Sequence, residues 1–227
     1  FIIRGAFSHW MLPTKPVHWF PALSITNKNM TMKHALSRRK LLSVGTRTLG
    51  AASLGNYLAP LATAQTAPAT ITRTDLGYAS VLHGAGCNVF MIPGSNEDGV
   101  LLVDGGLGAH TDALLTTIKN LTGQERVHTL INTHFHPEQT GANERVGAEG
   151  GIIIAHENTK MCLQNGLLSS TYEGRYGPLA DAGIPSKTLS GDGTLKFAGQ
   201  EIIYGYLPAA HTNGDIFLYF PILDTLV

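Results

Sequence analysis

The sequence predicts a single α/β domain over residues 65–227, in which strands lead and strands and helices then alternate. Three observations carry this. Short apolar runs at 78–83, 88–92 and 100–103 are punctuated by glycine and proline, the mark of an antiparallel meander. Leu114, Ile118 and Leu121 then recur at helical spacing. After that helix, the apolar run 127–132 opens directly into a polar, histidine-bearing loop, where α/β sheets usually place their chemistry.

Each element follows in order. Gly84, Gly86, Pro93-Gly94 and Gly105-Gly106 close the turns of the meander, and Thr111 or Asp112 stands where it can cap the helix over 111–121. Residues 133–141 read as a loop, 142–148 as a short helix, 151–155 as a fully apolar strand and 157–164 as a helix. Residues 167–192 carry Gly, Pro and Ser with little periodicity, which predicts a surface excursion with at most one helical turn. Strand patterns return at 194–197, 201–206 and 216–220. Cys87 falls in a strand pattern and Cys162 in a helical one. Two cysteines are too few for a disulfide framework, so both read as buried thiols, with a single bridge left open.

The formal neutrality of the chain is an average over two unlike parts. Residues 1–64 hold eight basic and no acidic side chains; residues 65–227 hold the other eight basic and all sixteen acidic ones. A basic, acid-free start ahead of an acidic body predicts a targeting segment and disfavours nucleic acid as a partner. Over 30–64 the order is that of an export signal: Lys33, Arg38, Arg39 and Lys40, then a weakly apolar stretch, then Ala62-Thr63-Ala64 before Gln65. Ser37-Arg38-Arg39-Lys40-Leu41-Leu42 resembles the twin-arginine export motif. The resemblance implies passage through the twin-arginine machinery and a mature, periplasmic or secreted protein starting near Gln65. Within the leader, the uncharged stretch from 48 to the cleavage site at 64 is only 17 residues and includes Asn56 and Pro60; a span needs about 20 apolar residues, so no permanent membrane anchor is expected. Residues 1–29, which lack a starting Met, read as a non-native upstream segment outside the fold.

Of the ten histidines, His9, His18 and His34 precede the mature body, and His83, His110, His128 and His156 stand alone near element ends. The exception is Thr133-His134-Phe135-His136-Pro137-Glu138-Gln139-Thr140-Gly141. In extended backbone, residues i and i+2 point to one side, so His134 and His136 converge at the mouth of strand 127–132. This segment resembles the signature of the metallo-β-lactamase superfamily, usually T-H-x-H-x-D-H-x-G-G. The run 99–106, ending in Asp104-Gly105-Gly106, is similar to the family's strand ending in Asp-Gly. Pro208-Ala209-Ala210-His211-Thr212-Asn213-Gly214-Asp215 resembles its G-x-H-T-x-G-D segment, with His211 placed 75 residues after His136.

The resemblance implies an αββα sandwich and a zinc ion on His134, His136 and His211. Three neutral imidazoles plus a water are a normal catalytic set, in which zinc brings the water's pKa to about 7 and hydroxide attacks a polarised carbonyl. Asp104 would support these ligands, or cap the turn at Gly105-Gly106. The family's Asp-His pair is replaced by Glu138-Gln139. Gln offers only a neutral amide oxygen, so one zinc is expected and a second is doubtful. Glu138 is then a general base on a single zinc-bound water, a ligand to a weaker second metal, or a cap on the helix near 142. Only 16 residues follow His211, so the sandwich reads as incomplete in its second half. Strand 216–220 would keep an unsatisfied edge, and this chain itself is expected to be poorly soluble and inactive. The function implied is an exported hydrolase of a small-molecule ester, thioester, lactone or lactam. The alternative is a catalytically degenerate binding protein of the same fold.

Overall fold

The meander forms as the turn residues predict. The strands β2 (Thr72–Asp75), β3 (Ser80–His83), β4 (Val89–Pro93) and β5 (Val100–Val103) are antiparallel neighbours. The computed structural model describes residues 3–4, 69–169 and 174–227, all in the unit formed by Phe1–His9 and Thr66–Val227. After α1 (Thr111–Thr122) the sheet turns parallel: β6 (Val127–Ile131) joins β5, β7 (Ile152–His156) joins β6, and β10 (Lys187–Leu189) joins β7. A second sheet is built from β11 (Gly193–Phe197), β12 (Gln200–Leu207) and β13 (Asp215–Phe220), all antiparallel.

The inner strands of the first sheet, β3 to β7, are buried on both faces, which is why they read as buried-strand runs. Alternation divides each strand between two cores. Val89, Met91, Val100 and Leu102 pack against Leu114 and Ile118 of α1 and Val146 of α3 (Asn143–Ala148). Phe90, Ile92, Leu101 and Val103 point the other way, onto Ile202, Ile216, Leu218 and Phe220 of the second sheet. The Phe90 and Phe220 rings meet there with centroids 4.9 Å apart. Among the described residues the layers therefore run helix, sheet, sheet.

Several expectations are corrected. Strand 216–220 has no open edge: β13 pairs with β12 on one side and β14 (Thr225–Leu226) on the other. From residues 1–29 the structure describes β1 (Ile3–Arg4), which pairs with β14; the export motif with Arg38 and Arg39 lies outside the described residues. The excursion 167–192 contains the hairpin β8 (Leu167–Ser169) and β9 (Gly174–Tyr176), a 3-10 turn and β10. Only Leu189 of β10 is buried, so no alternation announces that strand. β2 escapes notice for the same reason, being exposed throughout. Neither Thr111 nor Asp112 caps α1, whose N-cap is His110; the buried Thr111 hydroxyl donates to the Gly141 carbonyl instead. Cys87 and Cys162 are unpaired and half-buried. No described helix is long and apolar enough to cross a membrane.

Candidate metal centre

Two loops build the site. The first follows β6, whose apolar side chains bury the strand and leave the polar run from Asn132 at its C-terminal end. Asn132 is fully buried and exchanges side-chain hydrogen bonds with the equally buried Asn143, at 3.0 and 2.9 Å. Its amide also donates to the Gln139 carbonyl at 3.0 Å, so one side chain closes the loop onto both α2 (Pro137–Thr140) and α3. Sequence reasoning missed this pair, although an Asn ending an apolar strand was the available signal. The second loop joins β12 to β13 and carries His211. Asp215 accepts hydrogen bonds from the Thr212 backbone and hydroxyl, and the Ile216 N–H donates to the Thr133 carbonyl, tying the loops together.

The three predicted histidines come together. Their ligand nitrogens all lie within 4.8 Å of one another, and the ring centroids are 4.6 to 5.0 Å apart. His134 and His136 are half-buried and His211 is exposed. Such a group could hold a metal ion, provided each ring offers a lone pair inward. The hydrogen bonds decide this for His134. Thr133 donates its backbone N–H and its hydroxyl to Asp104, at 2.8 and 2.9 Å. With that hydroxyl proton committed, the 3.0 Å contact between Thr133 Oγ1 and His134 Nδ1 requires Nδ1–H as donor. The lone pair is then on Nε2, which is buried and has no hydrogen-bond partner.

Asp104 thus stands behind His134 rather than within the three-histidine group, and its φ of 65° places it in the left-handed region that disfavours a side chain. Burial pushes its carboxyl up to about 7, against the Thr133 hydrogen bonds that favour the carboxylate. Burial, then the neighbouring His136, pushes His134 down to about 4, and burial with His211 lowers His136. Those two imidazoles are therefore neutral at pH 7, as metal ligation requires. Burial, then Asp104, drives the Cys87 thiol up to about 12, which keeps it protonated.

Glu138 lies in the first turn of α2, which answers its reading as a helix acid: the helix is its own, and α3 starts later, at Asn143. It is half-buried, outside the three-histidine group, and its charge acts on His134, His136 and Asp104. Gln139 is buried, with an amide oxygen that has no hydrogen-bond partner. Asp104, Thr133, His134, Gln139, His211 and Phe217 border a cavity of about 510 Å³.

A pH effect follows from His134. Its pKa is about 4 folded and about 6.5 unfolded, so the unfolded chain takes up the proton first as pH falls. This histidine therefore favours unfolding progressively between pH 6.5 and 4. Asp104 works the other way, losing stability as pH rises from 3.8 toward 7, so the comparison must be differential. In metal-free protein, His134→Gln should gain stability relative to the parent as pH drops from 7 to 4, read as urea midpoints; a constant gap refutes it.

The family model described as Metallo-beta-lactamase superfamily matches residues 84–227. No curated protein matches the chain. Solved structures share the fold. BJP-1, a subclass B3 metallo-beta-lactamase of Bradyrhizobium japonicum, is 18% identical over 67% of this chain and 57% of its own, with a TM-score of 0.57. A Cronobacter sakazakii metallo-beta-lactamase described by its HARLDQ motif is 17% identical over 62% and 56%, TM-score 0.53. A B3 metallo-beta-lactamase described as having an active site glutamic acid is 19% identical over 63% and 53%, TM-score 0.52. The chain thus spans a little over half the length of these proteins.

Proposed function

The chain belongs to the metallo-beta-lactamase superfamily, and on that premise we propose that it is a metal-dependent hydrolase of small ester, thioester, lactone or lactam substrates. The observation that carries the proposal is the convergence of three imidazole nitrogens from two loops, with a buried Nε2 whose lone pair has no partner. His134, His136 and His211 would hold one zinc ion, which when bound supplies a Lewis acid and an acidified water. Asp104, acting through Thr133, keeps His134 in the tautomer that presents Nε2. Glu138 takes the proton of the attacking water on its carboxylate and returns it to the leaving group.

Two of the similar proteins support the unusual pair. One is described by an active site glutamic acid and the other by a HARLDQ motif, which ends in Asp-Gln; this chain carries Glu138-Gln139. Gln139 favours a single ion, because an amide oxygen is a poor zinc ligand. It is also the observation behind the second reading, a binding protein of this fold without turnover. Export through the Arg38-Arg39 motif would place either protein outside the cytoplasm, cleaved after Ala64.

Zinc titration of metal-free protein with a panel of the four substrate types separates the readings. Hydrolase function requires about one zinc per chain and turnover of at least one panel member that chelator abolishes and zinc restores. Stoichiometric zinc with no turnover across the panel leaves the binding reading.

A further inference from the structure

We infer that Asn158, at the start of α4 (Glu157–Asn165), is a positioning residue that holds His211 in place and thereby sets the metal affinity of the site. The inference rests on the three-histidine reading. His211 is the one exposed member of the group, and Pro208, Ala209 and Ala210 before it are exposed as well. Packing on that side therefore does little to fix it, and the geometry of its ring depends on how the backbone after it is held.

That backbone is held from outside the loop. Asn158 Nδ2 donates to the Asn213 carbonyl at 2.6 Å, and the Tyr206 hydroxyl donates to the same carbonyl at 3.0 Å. Asn158 Nδ2 also reaches Tyr206 Oη at 3.2 Å, so the two donors brace each other. Next along the chain, Thr159 Oγ1 donates to the Gly214 carbonyl at 3.1 Å. The approach is so close that a Cβ on Gly214 would lie 2.5 Å from Thr159 Oγ1.

The brace is itself anchored. The Tyr206 ring stacks on His156 with centroids 3.9 Å apart and planes 10° from parallel. His156 is buried, and its Nδ1 accepts the Asn158 backbone N–H at 3.1 Å, capping α4. A rigid helix start and a strand thus converge on one carbonyl two residues from a ligand. Hydrogen bonds made directly to a ligand typically govern about 10- to 100-fold in metal affinity, and this brace, one step further back, is expected at the lower end.

The test is cobalt(II) binding to the whole chain, measured by chelator competition and by the d–d absorption bands. Asn158→Ala should bind cobalt about 10-fold more weakly, with altered bands. Asn158→Asp, nearly isosteric but unable to donate to the Asn213 carbonyl, should not rescue it. Tyr206→Phe keeps the ring on His156 and removes one of the two donors, so it should show a smaller loss; it decides the matter should the Asn158 variants fail to fold. Parental affinity and bands in all folded variants, alongside lost binding in His211→Ala, overturn the brace and leave the three-histidine site standing. Parental affinity in His211→Ala overturns the site, and the inference with it.

Discussion

Replacing His211 with alanine should weaken zinc binding by about 100-fold or more and remove zinc-dependent turnover, while leaving the fold intact. The size follows from the coordination chemistry. Removing a residue that merely supports a ligand already costs about 10- to 100-fold, and removing one of three protein ligands costs at least the upper end of that range. The separation from stability follows from exposure: His211 is exposed, whereas His134 and His136 are partly buried. Alanine at His211 therefore opens no cavity in either core, and surface changes of this kind usually alter stability by under about 0.5 kcal/mol. Equilibrium competition with a chromophoric chelator gives the affinity, and urea unfolding of the metal-free protein gives the control. Unchanged zinc affinity would show that the histidines converge for a structural reason only.

The parts of this molecule that were legible in the sequence are those where burial imposes a pattern. β5 and β6 are buried on both faces and read as apolar runs, and the inward face of α1 recurs at helical spacing. The histidines were legible through their spacing and their place at the end of β6. β2 and β10 were not, because a strand whose residues face solvent carries no alternation. The pairing of β13 with β14 was missed because the two residues of β14 are too few for any period. Polar networks were the deepest blind spot. Asn132 with Asn143, and Asn158 with Tyr206, are joined across 11 and 48 residues, and nothing local to either partner announces the other. Sequence thus supplied the candidate ligands, while the structure supplied what orients them.

Glu138→Gln should lower turnover by about 10²- to 10⁴-fold, the usual contribution of a general base, with zinc affinity and stoichiometry little changed. The substitution preserves size and removes only the ability to accept and return a proton. The three histidines can form a ligand group without Glu138, so its loss as a charge should not release an ion held there. The two roles left open for this residue diverge on one measurement. A base leaves about one zinc per chain in both proteins and changes kcat; a ligand to a second metal changes the stoichiometry from two to one. Glu138→Asp sharpens the distinction, because it keeps a carboxylate but withdraws it by one methylene. As a base it should retain part of the activity, since proton transfer tolerates an intervening water. As a ligand to a second metal it should instead keep the stoichiometry at two, because Asp stands at this position in the usual family signature and still offers a carboxylate oxygen. Full activity in Glu138→Gln would remove the carboxylate from the mechanism and leave the histidine-bound ion to act without a protein base.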